Sequence, residues 1–120
     1  MSRSYLRCAF VACALAPALT ALQASAAELS FLLPIENGRV PENVRTIRVH
    51  QNDVVTLKWS TDKPITIHLH GYDIEKQVRP GVLTEMTFTA RATGRFTIEP
   101  HDANASGSHG RPLVTLEVYP

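Results

Sequence analysis

From residue 28 onward the sequence is a succession of short runs rich in β-branched residues, alternating apolar with polar and separated by turn residues. Every second side chain of a strand points to the same side, so such runs can bury one face of a sheet, and they lack the 3.6-residue period of a helix. The runs are 29–33, 44–50, 54–60, 65–70, 72–78, 83–90, 95–99 and 113–119. Between them Asn37-Gly38, Gln51-Asn52-Asp53, Thr61-Asp62-Lys63-Pro64, Arg79-Pro80-Gly81 and Ala92-Thr93-Gly94 supply the residues that tight turns require. The alternation assigns Ile47, Val49, Val55, Leu57, Trp59, Ile65, Ile67, Leu69, Met86, Phe88, Phe96, Ile98, Val114, Leu116 and Val118 to the core. Two such faces packed together predict an all-β fold, a Greek-key β-sandwich with its loops gathered at two ends. The longest stretch without periodicity is 100–112.

Residues 1–27 read differently. Arg3 and Arg7 precede an apolar run over residues 8–16, and Ala24-Ser25-Ala26 offers small residues for cleavage, the pattern of a secretory signal peptide. A membrane anchor is the bland alternative, but Pro17 and Gln23 interrupt the run, which falls short of the ~20 residues a spanning helix needs. A lipoprotein would acylate Cys13, and Phe10-Val11-Ala12 suits that poorly. The expected organisation is a signal peptide over 1–27 and one domain over 28–120, periplasmic or secreted, a monomer with no stable membrane insertion after cleavage.

Charge and cysteine content narrow the function. The whole chain carries a formal +1, and loss of Arg3 and Arg7 leaves 10 basic against 11 acidic residues, with no field to concentrate phosphates. Nucleic acid is therefore excluded as an expected partner. The only cysteines, Cys8 and Cys13, leave with the signal peptide, so the domain has neither disulfide nor thiolate.

All five histidines remain: His50, His68, His70, His101 and His109. His50 ends a run and reads as a surface residue. His68 and His70 share a strand face about 7 Å apart, close enough for one transition metal, although a solvent-facing stripe with Thr66 explains His68 equally simply. Imidazoles with a carboxylate nearby suit Cu(II), Zn or Ni, and Asp102 follows His101 directly. Strand parity places His101 on the face opposite Phe96 and Ile98 unless Pro100 bends the strand.

The segments Gln51-Asn52-Asp53-Val54-Val55, Thr66 to Asp73, Pro80-Gly81, Gly94-Arg95-Phe96-Thr97-Ile98 and the run over 114–118 together resemble the cupredoxin family. They are most similar to the copper-binding domain of cytochrome c oxidase subunit II, where a His-small-aromatic triplet, a Pro-Gly turn and a Gly-x-aromatic strand follow in that order. The resemblance implies a cupredoxin-like sandwich, places the first ligand histidine on His70 and the histidine of the C-terminal ligand loop on His109. It also places the family's cysteine on Pro100 and offers no axial methionine, since Gly110-Arg111-Pro112-Leu113 follows His109. A thiolate centre, and with it blue-copper electron transfer, is thereby excluded. With the two histidines that the resemblance implies, His101 beside the vacated position makes His70, His101 and His109 a candidate three-histidine metal site at the loop end of the sandwich.

Ser106, Ser108, His109 and Asp102 lack the strand-turn-helix setting of a nucleophilic serine, and Asn104-Ala105-Ser106 is a glycosylation triplet that occurs readily by chance. Three function classes follow, in order. The first is a periplasmic copper-binding protein, Cu(II) favoured over Zn, that stores the ion or passes it to a periplasmic protein partner. The second is a metal-free β-sandwich binding or accessory module, and the third a mononuclear copper enzyme. An enzyme is not the expected class.

Overall fold

The computed structural model describes residues 25–101 and 111–120. Eight strands occupy the eight expected runs: β1 (Glu28–Ile35), β2 (Thr46–His50), β3 (Val54–Thr61), β4 (Ile65–Leu69), β5 (Ile74–Val78), β6 (Thr84–Thr89), β7 (Gly94–Pro100) and β8 (Val114–Tyr119). They form two sheets, β1-β3-β6 and β2-β8-β7-β4-β5. Most pairings are antiparallel, but β1 lies parallel to β3 and β2 parallel to β8. Among the described residues no helix is long and apolar enough to cross a membrane.

The inner faces meet in one core. Val55, Leu57, Trp59 and Met86 of the smaller sheet and Ile67, Leu69, Ile98 and Leu116 of the larger are fully buried. Leu33 and Ile35 join them at 0% and 1% exposure, although the unbroken apolar run from Phe31 to Ile35 hides their alternation. Ile65 and Phe96 are only partly buried and pack against the core from its rim.

Turn chemistry does what the residue types require. Asn37 and Gly38 both have positive φ, 50° and 74°, and Glu36 and Arg39 exchange backbone hydrogen bonds of 2.8 and 3.0 Å across them. Two left-handed residues give the two-residue hairpin twist that matches the strands. At Arg79-Pro80-Gly81-Val82, Gly81 has φ 78° and the Val82 amide donates to the Arg79 carbonyl at 3.3 Å, the arrangement for which proline followed by glycine is suited.

The stretch from His70 to Asp73 departs from expectation: β4 ends at Leu69 and β5 begins only at Ile74. Gly71 at φ 85° and Asp73 at φ 56° turn the chain there. Tyr72, between them, packs its ring 5.0 Å from that of Phe88 and 4.9 Å from that of Phe96. A Cβ on Gly71 would stand 2.5 Å from Phe96 Cδ1. Gly71→Ala therefore combines a left-handed alanine with overpacking and should cost about 3 kcal/mol, read as a lower urea midpoint; an unchanged midpoint would mean that Phe96 moves freely.

Asp53 is the one charged residue buried among the described residues, at 5% exposure. Its carboxylate accepts from the backbone amides of His50 at 2.8 Å and Ala27 at 2.9 Å. Those two bonds, His50 first, hold its pKa below the usual carboxylate value. A carboxyl group depressed on folding stabilises the fold above its unfolded pKa and loses that contribution as pH falls through the folded value. Stability should accordingly drop on acidification below the ordinary carboxylate range, and Asp53→Asn should flatten that part of a stability-against-pH curve; an equally steep curve in the variant would assign it to other groups.

Candidate functional site

Antiparallel pairing of β4 with β7 sets Ile67 opposite Pro100, His68 opposite Glu99 and Leu69 opposite Ile98. Because Ile67, Leu69 and Ile98 point into the core, the alternate residues His68 and Glu99 stand on the outer face. His70 follows on the same face, its amide donating to the Thr97 carbonyl at 3.0 Å. The imidazoles of His68 and His70 are in edge-to-face contact, with ring centroids 4.5 Å apart. That is closer than the ~7 Å rise of two strand residues, because His70 already lies past the strand end, where the backbone turns at Gly71.

Each ring has a carboxylate neighbour. His70 Nε2 lies 3.2 Å from Glu99 Oε2, and His68 Nε2 lies 3.4 Å from Asp73 Oδ1. Glu99 is mostly covered, with 15% of its side chain exposed, and its other oxygen accepts from the Thr97 hydroxyl at 3.0 Å. Asp73 is fully exposed, so its contact with His68 is weak in water. Thr97, Glu99, His70 and His68 thus stand in a row across two strands: the Thr97 hydroxyl holds Glu99 by a hydrogen bond, Glu99 faces the His70 imidazole at ion-pair distance, and the two imidazoles meet edge to face. Carboxylate contacts of this kind position metal-ligating histidines.

Of the three histidines expected to share a metal, the structure places two. β7 stays regular through Pro100, and the His101 amide donates to the Thr66 carbonyl at 2.7 Å. His101 is therefore on the outer face as well, but beside Thr66, four residues along β4 from His70. At ~3.3 Å per residue that separates them by roughly 13 Å, so the described residues do not bring His70 and His101 together. His109 lies outside the described residues. Among those described, no three His, Cys, Asp or Glu side chains converge to hold an ion. His50 lies at the end of β2, paired with Tyr119 and remote from the cluster.

Glu99 and the approach of His68 to His70 are what sequence reasoning missed. Period two shows that His68 and His70 share a face, but the pairing of Glu99 with His68 depends on strand register, which no local pattern carries.

On the same outer face, Glu117 of β8 is gripped from both sides. Its carboxylate accepts from Arg48 Nε of β2 at 2.9 Å, from an Arg95 guanidinium nitrogen of β7 at 2.9 Å and from the Tyr119 hydroxyl at 2.9 Å. The Tyr119 hydrogen bond, followed by those from the arginines, holds the Glu117 pKa below its usual value.

Copper centres with a thiolate ligand do not fit these residues, since no cysteine lies beyond Cys13 and Met86 is sealed in the core. A site built on imidazoles fits in donor type. No protein-family model matches the chain, and no curated protein matches it. Solved structures do. The periplasmic domain of subunit II of cytochrome oxidase from Bradyrhizobium japonicum superposes with TM-score 0.60 at 16% identity, over 80% of this chain and 87% of that one. A heme-copper terminal oxidase chain gives TM-score 0.60 at 16% identity over 74% of this chain, which spans 63% of it. A multicopper oxidase from Pseudomonas thermotolerans gives 0.56 at 23% identity over 79% of this chain and 30% of that enzyme. The two sheets, of three and five strands, superpose on these domains, and the fold is cupredoxin-like.

Proposed function

We propose that this chain is an exported, periplasmic cupredoxin-like protein that binds Cu(II) through histidines, storing the ion or passing it to a protein partner, and that it is not a blue-copper electron carrier. The observation that carries the reading is the contact pair His68–His70 with Glu99 held behind His70. Copper is preferred to zinc because nitrogen and oxygen donors bind Cu(II) more tightly. When bound, the ion would be held by imidazole nitrogens while Glu99 keeps the His70 ring in place. His101 and His109 are the further donors of the alternative, loop-end arrangement around His70. One relative of the fold forms a mixed disulfide with a thioredoxin-like protein; here the absence of cysteine beyond residue 13 leaves exchange between histidines as the route of transfer.

Metal per chain, measured on protein purified from its native compartment, tests the proposal directly. The copper-loaded protein should be nearly colourless, without the intense thiolate-to-copper band, and should give an ordinary tetragonal Cu(II) spin-resonance signal. An intense blue colour would overturn the histidine site. Metal-free protein that also fails to bind Cu(II) would favour the second reading, a binding or accessory module.

A further inference from the structure

Asp53 poses a problem of charge. It is nearly buried, both carboxylate oxygens are taken by backbone amides, and among the described residues it enters no ion pair. Buried charges are ordinarily compensated. One of its two donors is the backbone nitrogen of Ala27, and Ala27 sits at the edge of the segment read as an export signal.

Two cleavage positions satisfy the small-residue rule: after Ala26, with Ala24 two residues before it, or after Ala27, with Ser25 two residues before it. The structure distinguishes them. Ser25, Ala26 and Ala27 are all exposed and outside any strand, but Ala27 is held on both sides, its nitrogen by Asp53 Oδ1 at 2.9 Å and its carbonyl by the Val54 amide at 2.9 Å. Cleavage after Ala27 would discard both bonds. Cleavage after Ala26 keeps both and changes the chemistry of one.

We propose that the Ala26–Ala27 peptide bond, one residue before the boundary expected from the sequence, is the one hydrolysed on export, and that the new α-ammonium of Ala27 forms an ion pair with Asp53 that locks β1 onto the β2–β3 turn. Water is the co-reactant: its hydroxyl adds to the Ala26 carbonyl carbon, the C–N bond breaks, and the released peptide ends in a carboxylate. Ala27 nitrogen keeps its bonding electrons, gains a proton to become an amine and a second to become the ammonium. A neutral amide donor is thereby replaced by a charged one, which makes a stronger hydrogen bond to a carboxylate, and the buried negative charge gains its counterpart. Asp53 and His50 are the titratable side chains lining the pocket that receives the ammonium, Pro120 with its main-chain carboxyl lines it too, and Glu28 is next along β1. The inference rests on the export reading above and specifies its chemistry.

The test exports the full-length chain in a bacterium and determines the intact mass of the periplasmic product. Ala27 should be its first residue. Titration of the Ala27 α-amine by NMR should then place its pKa about one unit above the ~7.7–8.0 of a free α-amine, a tenfold tighter hold on the proton, and Asp53→Asn should return it to the ordinary value. Cleavage at another bond would overturn the proposal while leaving export intact; an uncleaved chain would overturn both. An α-amine with ordinary titration in the wild-type protein would overturn the ion pair, and that measurement decides alone if Asp53→Asn does not fold.

Discussion

A chain ending at Pro112 should show no cooperative unfolding transition. The deleted strand, β8, lies between β2 and β7, so its loss severs the five-stranded sheet and leaves Ile47 and Val49 of β2 without a hydrogen-bonded neighbour to hold them over the core. It also removes Val114, Leu116 and Val118, all buried at 4% exposure or less. At about 2 kcal/mol for each buried aliphatic side chain, the deficit approaches the 5–15 kcal/mol by which a domain is stable. The segment 28–120, by contrast, should fold alone as a monomer. Circular dichroism and urea titration of both chains check this; a native spectrum with a sharp transition in the truncated chain would contradict the strand order.

Copper affinity should fall by more than about tenfold, 1.4 kcal/mol or more, when His70 is replaced by alanine. His70 belongs to both arrangements that its surroundings allow, so His68 is the variant that separates them. If the contact pair holds the ion, His68→Ala costs as much as His70→Ala and His109→Ala costs nothing. In that case Glu99→Gln should weaken binding by about tenfold, since loss of a supporting carboxylate commonly costs 10- to 100-fold. If the ion is held by His70, His101 and His109, His68→Ala costs little and each of the other two changes costs more than tenfold. His50→Ala should be silent in either case. Protons compete with metal for imidazole nitrogen, so affinity should weaken as pH falls, with more than one proton taken up per ion released. Calorimetric titration at two pH values reads all of these quantities, and an unmodified domain without specific Cu(II) binding would end the copper reading.

Strand positions were legible because each inner face alternates with a polar outer one; Val55, Leu57 and Trp59 announce β3 as plainly as Val114, Leu116 and Val118 announce β8. Where alternation fails, as from Phe31 to Ile35, the burial of Leu33 and Ile35 could not be read. Nor could the parallel pairings of β1 with β3 and β2 with β8, because partners far apart in sequence leave no local mark. The site divides along the same line. His68 and His70 were recognisable as a same-face pair, but their close approach depends on the turn at Gly71, and Glu99 becomes their neighbour only through the β4–β7 register. His109 came from a family pattern and His101 from its place beside Pro100; for His101 the register gives a place beside Thr66.

The position of β8 also sets a timetable. Until this last strand docks, the larger sheet exists as β2 and a separate β7-β4-β5 group, and β1 can pair only after β3 is available. Such distant pairings must meet their loop-closure entropy before contacts repay it, which places sandwiches of this kind in the ms–s range of folding times. Under the export proposed above, the delay would be useful: the chain would remain threadable through a narrow channel until every strand had crossed, and would then fold as a unit on the far side.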